Sequence, residues 1–173
     1  MSDNLALPSG VTLRPETDAD KAAVDALIAA AFGPSRHKRS VRHLRQSTPV
    51  ASLCFVIEQQ DKLIGSIRYW PVLVAGRAQL LLGPLAVHPD HKGQGLGKKL
   101  VAHSLEQAVQ HEYDFILISG EPDYYPRFGF EAADTKAFMW PGFIEAERFQ
   151  IKWLKEERRA SYQTDGAAIL PIL

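Results

Sequence analysis

The chain predicts a mixed α/β fold, α+β in its strand pairing: a central, mostly antiparallel sheet of six to seven strands with helices on both faces. Three observations predict it. Short β-rich runs separated by turns at Gln60-Asp61-Lys62 and Ala75-Gly76-Arg77 read as antiparallel hairpins. A helical stripe over 95–111 joins two strongly apolar strands, as a parallel crossover does. Another helical stripe precedes the hairpins, so both faces of the sheet have cover.

The elements follow in order. Residues 1–10 are polar, end in Pro8-Ser9-Gly10 and read as a flexible leader. Val11–Arg14 is a short strand stopped by Pro15, and Thr17 or Asp18 caps the next helix. That helix carries Val24, Leu27, Ile28 and Ala31 on one face and stops at Gly33-Pro34. A weaker helix is expected over 36–48, with Val41 and Leu44 inward. Strands follow at Leu53–Gln59, at Leu63–Trp70 with Pro71 closing it, and at Gln79–Val87. The helix of 95–111 turns Leu96, Leu100, Val101, Leu105 and Val109 inward. Phe115–Ser119 is a buried strand, and a short helix carries Tyr124 to Phe128. Lys136–Trp140 and Arg148–Leu154 read as the last strands. The functional domain is therefore expected over 11–154, with 155–173 as a tail packed on it or on a dimer partner.

Composition narrows the function classes. At 173 residues the chain suits one domain. No apolar run reaches the roughly 18–20 residues of a membrane span, and the N-terminus lacks the pattern of a signal peptide. Twenty basic residues balance twenty acidic ones, which argues against a nucleic-acid or membrane-surface partner. The single cysteine, Cys54, lies in a strand-like run and reads as a buried, inert thiol. It forms no internal disulfide and suits the cytoplasm. The six histidines and one cysteine show no metal-ligand spacing. Trp70, Trp140 and Trp153 read as core or cleft walls.

The most informative stretch runs from Leu82 to Lys99, with glycines at 93, 95 and 97 between a strand and a helix start. Glycine lets backbone N–H groups converge, and the helix N-terminus adds unpaired donors, so a phosphate or pyrophosphate suits the turn. The P-loop pattern fails at both ends, since Lys99 follows Gly97-Lys98 and Lys92 stands five before Gly97. The dinucleotide pattern fails as well, because its third glycine falls on Lys98 or Leu100.

The run L-A-V-H-P-D followed by K-G-Q-G-L-G resembles the coenzyme A pyrophosphate loop of the GNAT superfamily of N-acetyltransferases. The family's R/Q-x-x-G-x-G/A falls on Lys92, Gly95 and Gly97, with Lys in the first place. Tyr124-Tyr125-Pro126-Arg127-Phe128-Gly129-Phe130 is similar to the family's Y-x-x-x-G-F segment, in the form shared by small bacterial predicted acetyltransferases with a YY-x-RFGF motif. The N-x-x-A segment of many relatives is replaced by Gly120-Glu121-Pro122-Asp123.

This resemblance implies acetyl-CoA as cosubstrate, without a metal, and a small-molecule or peptide amine as acceptor. It implies that Leu85, Ala86, Val87, Lys92, Gly93, Gln94, Gly95, Leu96, Gly97 and Lys98 hold the cofactor. Within that implication the Leu85 N–H meets the acetyl carbonyl and Tyr125 protonates the departing thiolate. Gly83-Pro84 inside the apolar strand predicts a bulge, beyond which Leu85 and Val87 point the same way. Tyr124 reads as core and Arg127 as exposed or paired with an acid. The general base stays open among Glu58, Glu121, Asp123, His88 and His91, with a water chain to bulk as an equal alternative from the resemblance. The basic run Arg36, Lys38, Arg39, Arg42 and Arg45 is read as a solvated helix face rather than a rim for an acidic substrate. The alternative to an enzyme is a silent module that binds acyl-CoA and senses it.

Overall fold

The computed structural model describes residues 6–34, 39–162 and 166–173. Part of the expected leader, and Arg36, His37 and Lys38 of the basic run, lie outside the described residues.

Strand β1 (Val11–Pro15) leads through a turn at Asp18–Asp20 into helix α1 (Lys21–Phe32). The turn is closed by a short side chain, as Thr17 predicts: the Thr17 N–H and Oγ1 both donate to Asp20 Oδ2, at 2.8 and 3.0 Å. Gly33 ends α1, donating its N–H to the Ala29 carbonyl at 2.9 Å. The helix expected over 36–48 is a single 3₁₀ turn, Ser40–Leu44, among the described residues. Val41 and Leu44 are its buried pair, which is one turn of apolar spacing and too little to hold a longer helix.

Three long antiparallel strands follow: β2 (Phe55–Gln59), β3 (Lys62–Val74) and β4 (Arg77–Val87). Pro71 does not close β3, which runs on to Val74. The Tyr69 carbonyl accepts from the Val50 N–H, so the main chain of Tyr69 faces away from β4. By the period of two Pro71 faces that same edge, where its missing N–H costs no β3–β4 bond. Helix α2 (Leu96–Ala108) then crosses to β5 (Phe115–Ser119), which pairs parallel with β4. Val109, expected inward, falls at the end of α2 and is exposed. The remaining strands are β6 (Glu131–Ala132), β7 (Phe138–Met139), β8 (Phe149–Trp153) and β9 (Ala167–Pro171). The strand expected over Lys136–Trp140 shrinks to β7, and β6 was not anticipated.

The sheet order is β1-β2-β3-β4-β5-β8-β6, seven strands as expected, and β9 and β7 extend it to nine. Every pairing is antiparallel except β4 with β5 and β7 with β9. The alternation of each strand divides the core in two. Ile67, Tyr69, Leu80, Leu82, Ile116 and Ile118 pack under α2. Val72, Val74, Leu81, Phe115, Leu117 and Phe149 line the other face. Arg68 lies on that second face, where its guanidinium reaches Asp25 of α1. The two helices therefore cover opposite faces, as the sequence predicts.

The segment after 154 runs back over the second face. Tyr162 is buried there among Phe115, Phe138 and Trp153, and β9 pairs with the end of β3 at Val72–Val74.

Candidate active site

The site begins as a fault in the sheet. β4 and β5 are in register at Leu80–Ile116 and Leu81–Leu117, and past these pairs the strands part. On the β3 side the register slips between Tyr69–Leu82 and Ile67–Leu85. One residue of β3, Arg68, there faces two of β4, so Gly83-Pro84 forms the expected bulge. The Gly83–Pro84 peptide is cis.

Beyond the bulge the main chain turns its donors outward. The His88 N–H donates to the Ile64 carbonyl at 2.8 Å, which fixes 64/88 and 66/86 as the hydrogen-bonded pairs. Leu85 and Val87 are the alternate, non-hydrogen-bonded positions. Their N–H and C=O groups point away from β3, into the gap that β5 leaves. Their side chains share the α2 side: each comes within 3.7 Å of the position a Cβ would take on Gly97. Ala86 turns its side chain the other way, is buried, and has its N–H and C=O turned toward Ser66 of β3, so the free main-chain groups are those of Leu85 and Val87.

The glycine loop ends at the N-terminus of α2. Gly93 and Gly95 adopt φ of 81° and 76°, which a side chain resists. The first α2 bond is from Lys99 N–H to the Gly95 carbonyl at 3.2 Å, so the Leu96, Gly97 and Lys98 amides lack helical partners. A cavity of about 400 Å³ lies over them, lined by Lys92, Gly93, Gly95, Leu96, Gly97 and Lys98 of the expected set, with Leu85 and Val87. Gln94 is exposed on the loop and does not line it. A second cavity, about 520 Å³, fills the splay between β4 and β5. Phe32, Leu85 and Tyr124 line both cavities, so the two meet at the bulge.

Tyr124 and Tyr125 stand differently from each other. Tyr125 is 7% exposed, packs edge-on against Phe130 and lines the larger cavity. Its ring lies so close to Gly120 that a Cβ there would run into it. Burial raises the Tyr125 phenol well above its ordinary value of 10, with Tyr124 adding to the rise. Tyr124, expected in the core, is half-buried at the junction of the cavities, and its hydroxyl lies 3.1 Å from a Gly97 Cβ position. Arg127 is exposed and caps Tyr124: its Nε donates to the Tyr124 carbonyl at 3.0 Å and its guanidinium covers that ring at 4.9 Å.

The candidate bases separate by location. Glu58 is tied to Arg14 at 3.1 Å on β2, away from both cavities. Asp123 is exposed outside them, and His88 uses its Nδ1 to accept from the Asp90 N–H. His91 lines the smaller cavity. Glu121 lines the larger one, 69% exposed, with Arg148 at 2.6 Å. Sequence reasoning missed Glu16, Asp25 and Arg68. Arg68 is gripped by Glu16 at 2.6 Å and Asp25 at 3.2 Å beneath the larger cavity, partners 52 and 43 residues away that no local pattern announces. Trp70 forms cavity wall, while Trp140 and Trp153 pack in the aromatic core, as expected. Cys54 is buried, its Sγ donating to the Val50 carbonyl at 3.3 Å, and burial pushes the thiol up to about 11. Among the described residues, no group of three His, Cys, Asp or Glu is placed to hold a metal.

A parallel strand pair that splays at a bulge, with a glycine loop on one side and a tyrosine on the other, meets the expectation of an acyltransferase. The comparisons agree. Residues 51–132 match the family described as Acetyltransferase (GNAT) domain. The chain is 31% identical over 150 residues to the N-acetyltransferase YhbS of Escherichia coli (strain K12), a match covering 84% of this chain and 88% of that one. It therefore belongs to the GNAT family of N-acetyltransferases and is an acyltransferase by descent.

A second relative, the N-acetyltransferase YjhQ of the same strain, is 27% identical over 140 residues, covering 78% of this chain and 77% of the other. Among solved structures, E. coli YhbS in complex with CoA superposes with a TM-score of 0.74 at 27% identity, covering 96% and 91% of the two chains. A GNAT acetyltransferase from Brucella melitensis in complex with acetyl-CoA gives 0.64 at 23% identity, covering 94% and 96%, and shows the shared fold.

Proposed function

We propose that this chain is an acetyl-CoA-dependent N-acetyltransferase that moves the acetyl group to a primary amine by direct attack in a ternary complex. The observation that carries the reading is the outward-facing main chain of Leu85 and Val87, set between a glycine loop and Tyr125. Lys92, Gly93, Gln94, Gly95, Leu96, Gly97 and Lys98 hold the pyrophosphate through backbone amides and lysine charge. The pantetheine arm runs past Ala86 and pairs with the outward main chain of Val87 as an added strand would. The CoA complex of E. coli YhbS supports coenzyme A as the group bound.

The chemistry follows. The neutral amine attacks the thioester carbon, and negative charge grows on the carbonyl oxygen, which accepts from the Leu85 N–H. A preorganised donor of this kind contributes about 3 kcal/mol to an acyl-transfer transition state. The C–N bond forms, the C–S bond breaks, and the sulfur takes the phenolic proton of Tyr125. The ammonium proton leaves to cavity water, with Glu121 on that wall. Tyr125 is reprotonated from solvent. Its raised pKa keeps it an acid throughout.

The acceptor is a small-molecule or peptide amine. Nucleic acid and membrane are set aside because the chain's net charge is zero and no described helix is long and apolar enough to cross a membrane. The free buried thiol suits a cytoplasmic enzyme. A homodimer through the exposed Leu170 and Leu173 is the reading for the apolar end, checked by sedimentation. Calorimetric titration with acetyl-CoA, coenzyme A and ATP tests the cofactor assignment. Micromolar binding of the first two with weak ATP binding is expected. Failure of acetyl-CoA to bind overturns the proposal.

A further inference from the structure

The larger cavity is lined by six cationic side chains, Lys21, Arg39, Arg42, Arg45, Arg68 and Arg148, against two carboxylates, Asp25 and Glu121. The sequence reading of Arg39, Arg42 and Arg45 as a solvated helix face is thereby corrected: all three line the cavity, because the expected helix is a single turn folded over the splay. Both carboxylates are already engaged, Asp25 by Arg68 and Glu121 by Arg148. The Arg45 side chain has no hydrogen bond or ion pair among the described residues, and its Nε is buried without an acceptor. Its guanidinium lies against the β4 bulge, where a Cβ on Gly83 would come 2.8 Å from Nη2. In the same wall the Trp70 indole Nε1 is a second buried donor without an acceptor.

A largely buried guanidinium without a counter-charge is costly, and folded chains rarely keep one except where an anion is to be bound. Burial, with Arg39 and Arg68 nearby, lowers Arg45 to about 10, so it stays charged at neutral pH. Both donors line the cavity that does not contact the glycine loop, and Arg45 lies against Gly83, two residues before Leu85. A volume of about 520 Å³ suits a small molecule rather than a protein surface.

We infer that the acceptor is a small primary amine carrying an oxyanion, carboxylate or phosphate, and that Arg45 binds that oxyanion and so positions the amine at the acetyl carbon. This rests on the acetyltransferase reading above. Arg39 and Arg42, exposed at the rim, draw the anion in. Arg45 is a binding and specificity residue and takes no part in proton transfer.

The test is an acceptor panel in matched pairs, followed by free-thiol release from acetyl-CoA. Glycine is set against glycinamide, β-alanine against β-alaninamide, and phosphoethanolamine against ethanolamine, with longer homologues of each. The anionic member of at least one pair is expected to exceed its neutral partner about tenfold or more in kcat/KM. The carboxylate and phosphate arms distinguish the two sources of the oxyanion. Arg45→Gln is expected to lower that kcat/KM about 30-fold or more, through acceptor KM, leaving acetyl-CoA KM within twofold. Arg45→Lys should restore part of the preference. Because it removes an uncompensated charge, Arg45→Gln should leave the melting temperature unchanged or raised. Neutral acceptors equal to or better than anionic ones overturn the inference while leaving acetyl transfer intact. So does a variant that raises acetyl-CoA KM, or one that melts early. If nothing turns over, calorimetry of the same anions on CoA-loaded protein decides: no binding overturns the inference. Failure to bind acetyl-CoA overturns the acetyltransferase reading itself.

Discussion

In the proposed mechanism Tyr125 supplies the proton to the departing thiolate. Replacing it with Phe removes one oxygen from a ring that is otherwise held by packing. The expected result is a fall in kcat of about 100-fold with acetyl-CoA Kd unchanged, measured by thiol release and calorimetry. Its pKa gives a second expectation. Burial raises the phenol, so the acid form persists at every pH below that raised value. The kcat–pH profile should therefore show no descending limb up to pH 10. A limb near 9 that disappears in Tyr125→Phe would contradict this. The motif singled out Tyr125, and the structure puts its ring on the wall of the larger cavity. The motif did not reveal that Tyr124 lines both cavities, because the two residues are adjacent on a 3₁₀ turn and their separation depends on how Gly120 and Gly97 leave room for each ring. Arg45 was harder still: its sequence neighbours are basic, and nothing local says which of them lacks a partner.

At the scale of elements, the glycine loop and the first turn make separate demands. Gly95 holds a left-handed conformation at the start of α2. Gly95→Ala should cost about 1–2 kcal/mol of strain and weaken acetyl-CoA about tenfold or more by calorimetry, because the amides lose their convergence. The β1–α1 turn rests on Asp20, which receives the Arg14 guanidinium at 2.7 and 2.9 Å. Arg14 holds that carboxyl well below the usual range. Its contribution is complete above the unfolded value, about pH 4, and is lost as pH falls toward the lower folded value. Asp20→Asn should therefore cost about 1–2 kcal/mol at pH 7 by urea unfolding, with the gap from the parent narrowing steadily below pH 4. Strands β2 to β5 and both helices were legible because their apolar periods are long and their ends carry glycine, proline or a capping residue. Pro71 misled because a proline is compatible with a strand wherever its N–H would face an open edge, and edges are set by partners far along the chain. The two-residue strands β6 and β7 carry too few side chains to show a period.

For the molecule as a whole, the sheet is closed by residues from both ends of the sequence. The Tyr162 hydroxyl donates to Asp114 Oδ2 at 2.6 Å and accepts from Gln79 Nε2 at 2.9 Å, all three buried. With β9 on the edge of β3, this makes Tyr162 and β9, both within 155–173, part of the core wall. Deleting those residues should lower the melting temperature by about 10 °C or more, read by calorimetry or circular dichroism. The architecture places two cavities on either side of one bulge, and in the proposed function the larger takes the amine and the smaller the cofactor for direct acetyl transfer. The measurement that tests it most directly is amine-dependent release of free thiol from acetyl-CoA by the parent chain and by Tyr125→Phe, alongside acetyl-CoA affinity for each. The account predicts release that requires the amine, slowed about 100-fold in the variant at equal affinity. Micromolar acetyl-CoA binding with no amine-dependent release from either protein would contradict it, leaving a module that holds acyl-CoA without transferring it.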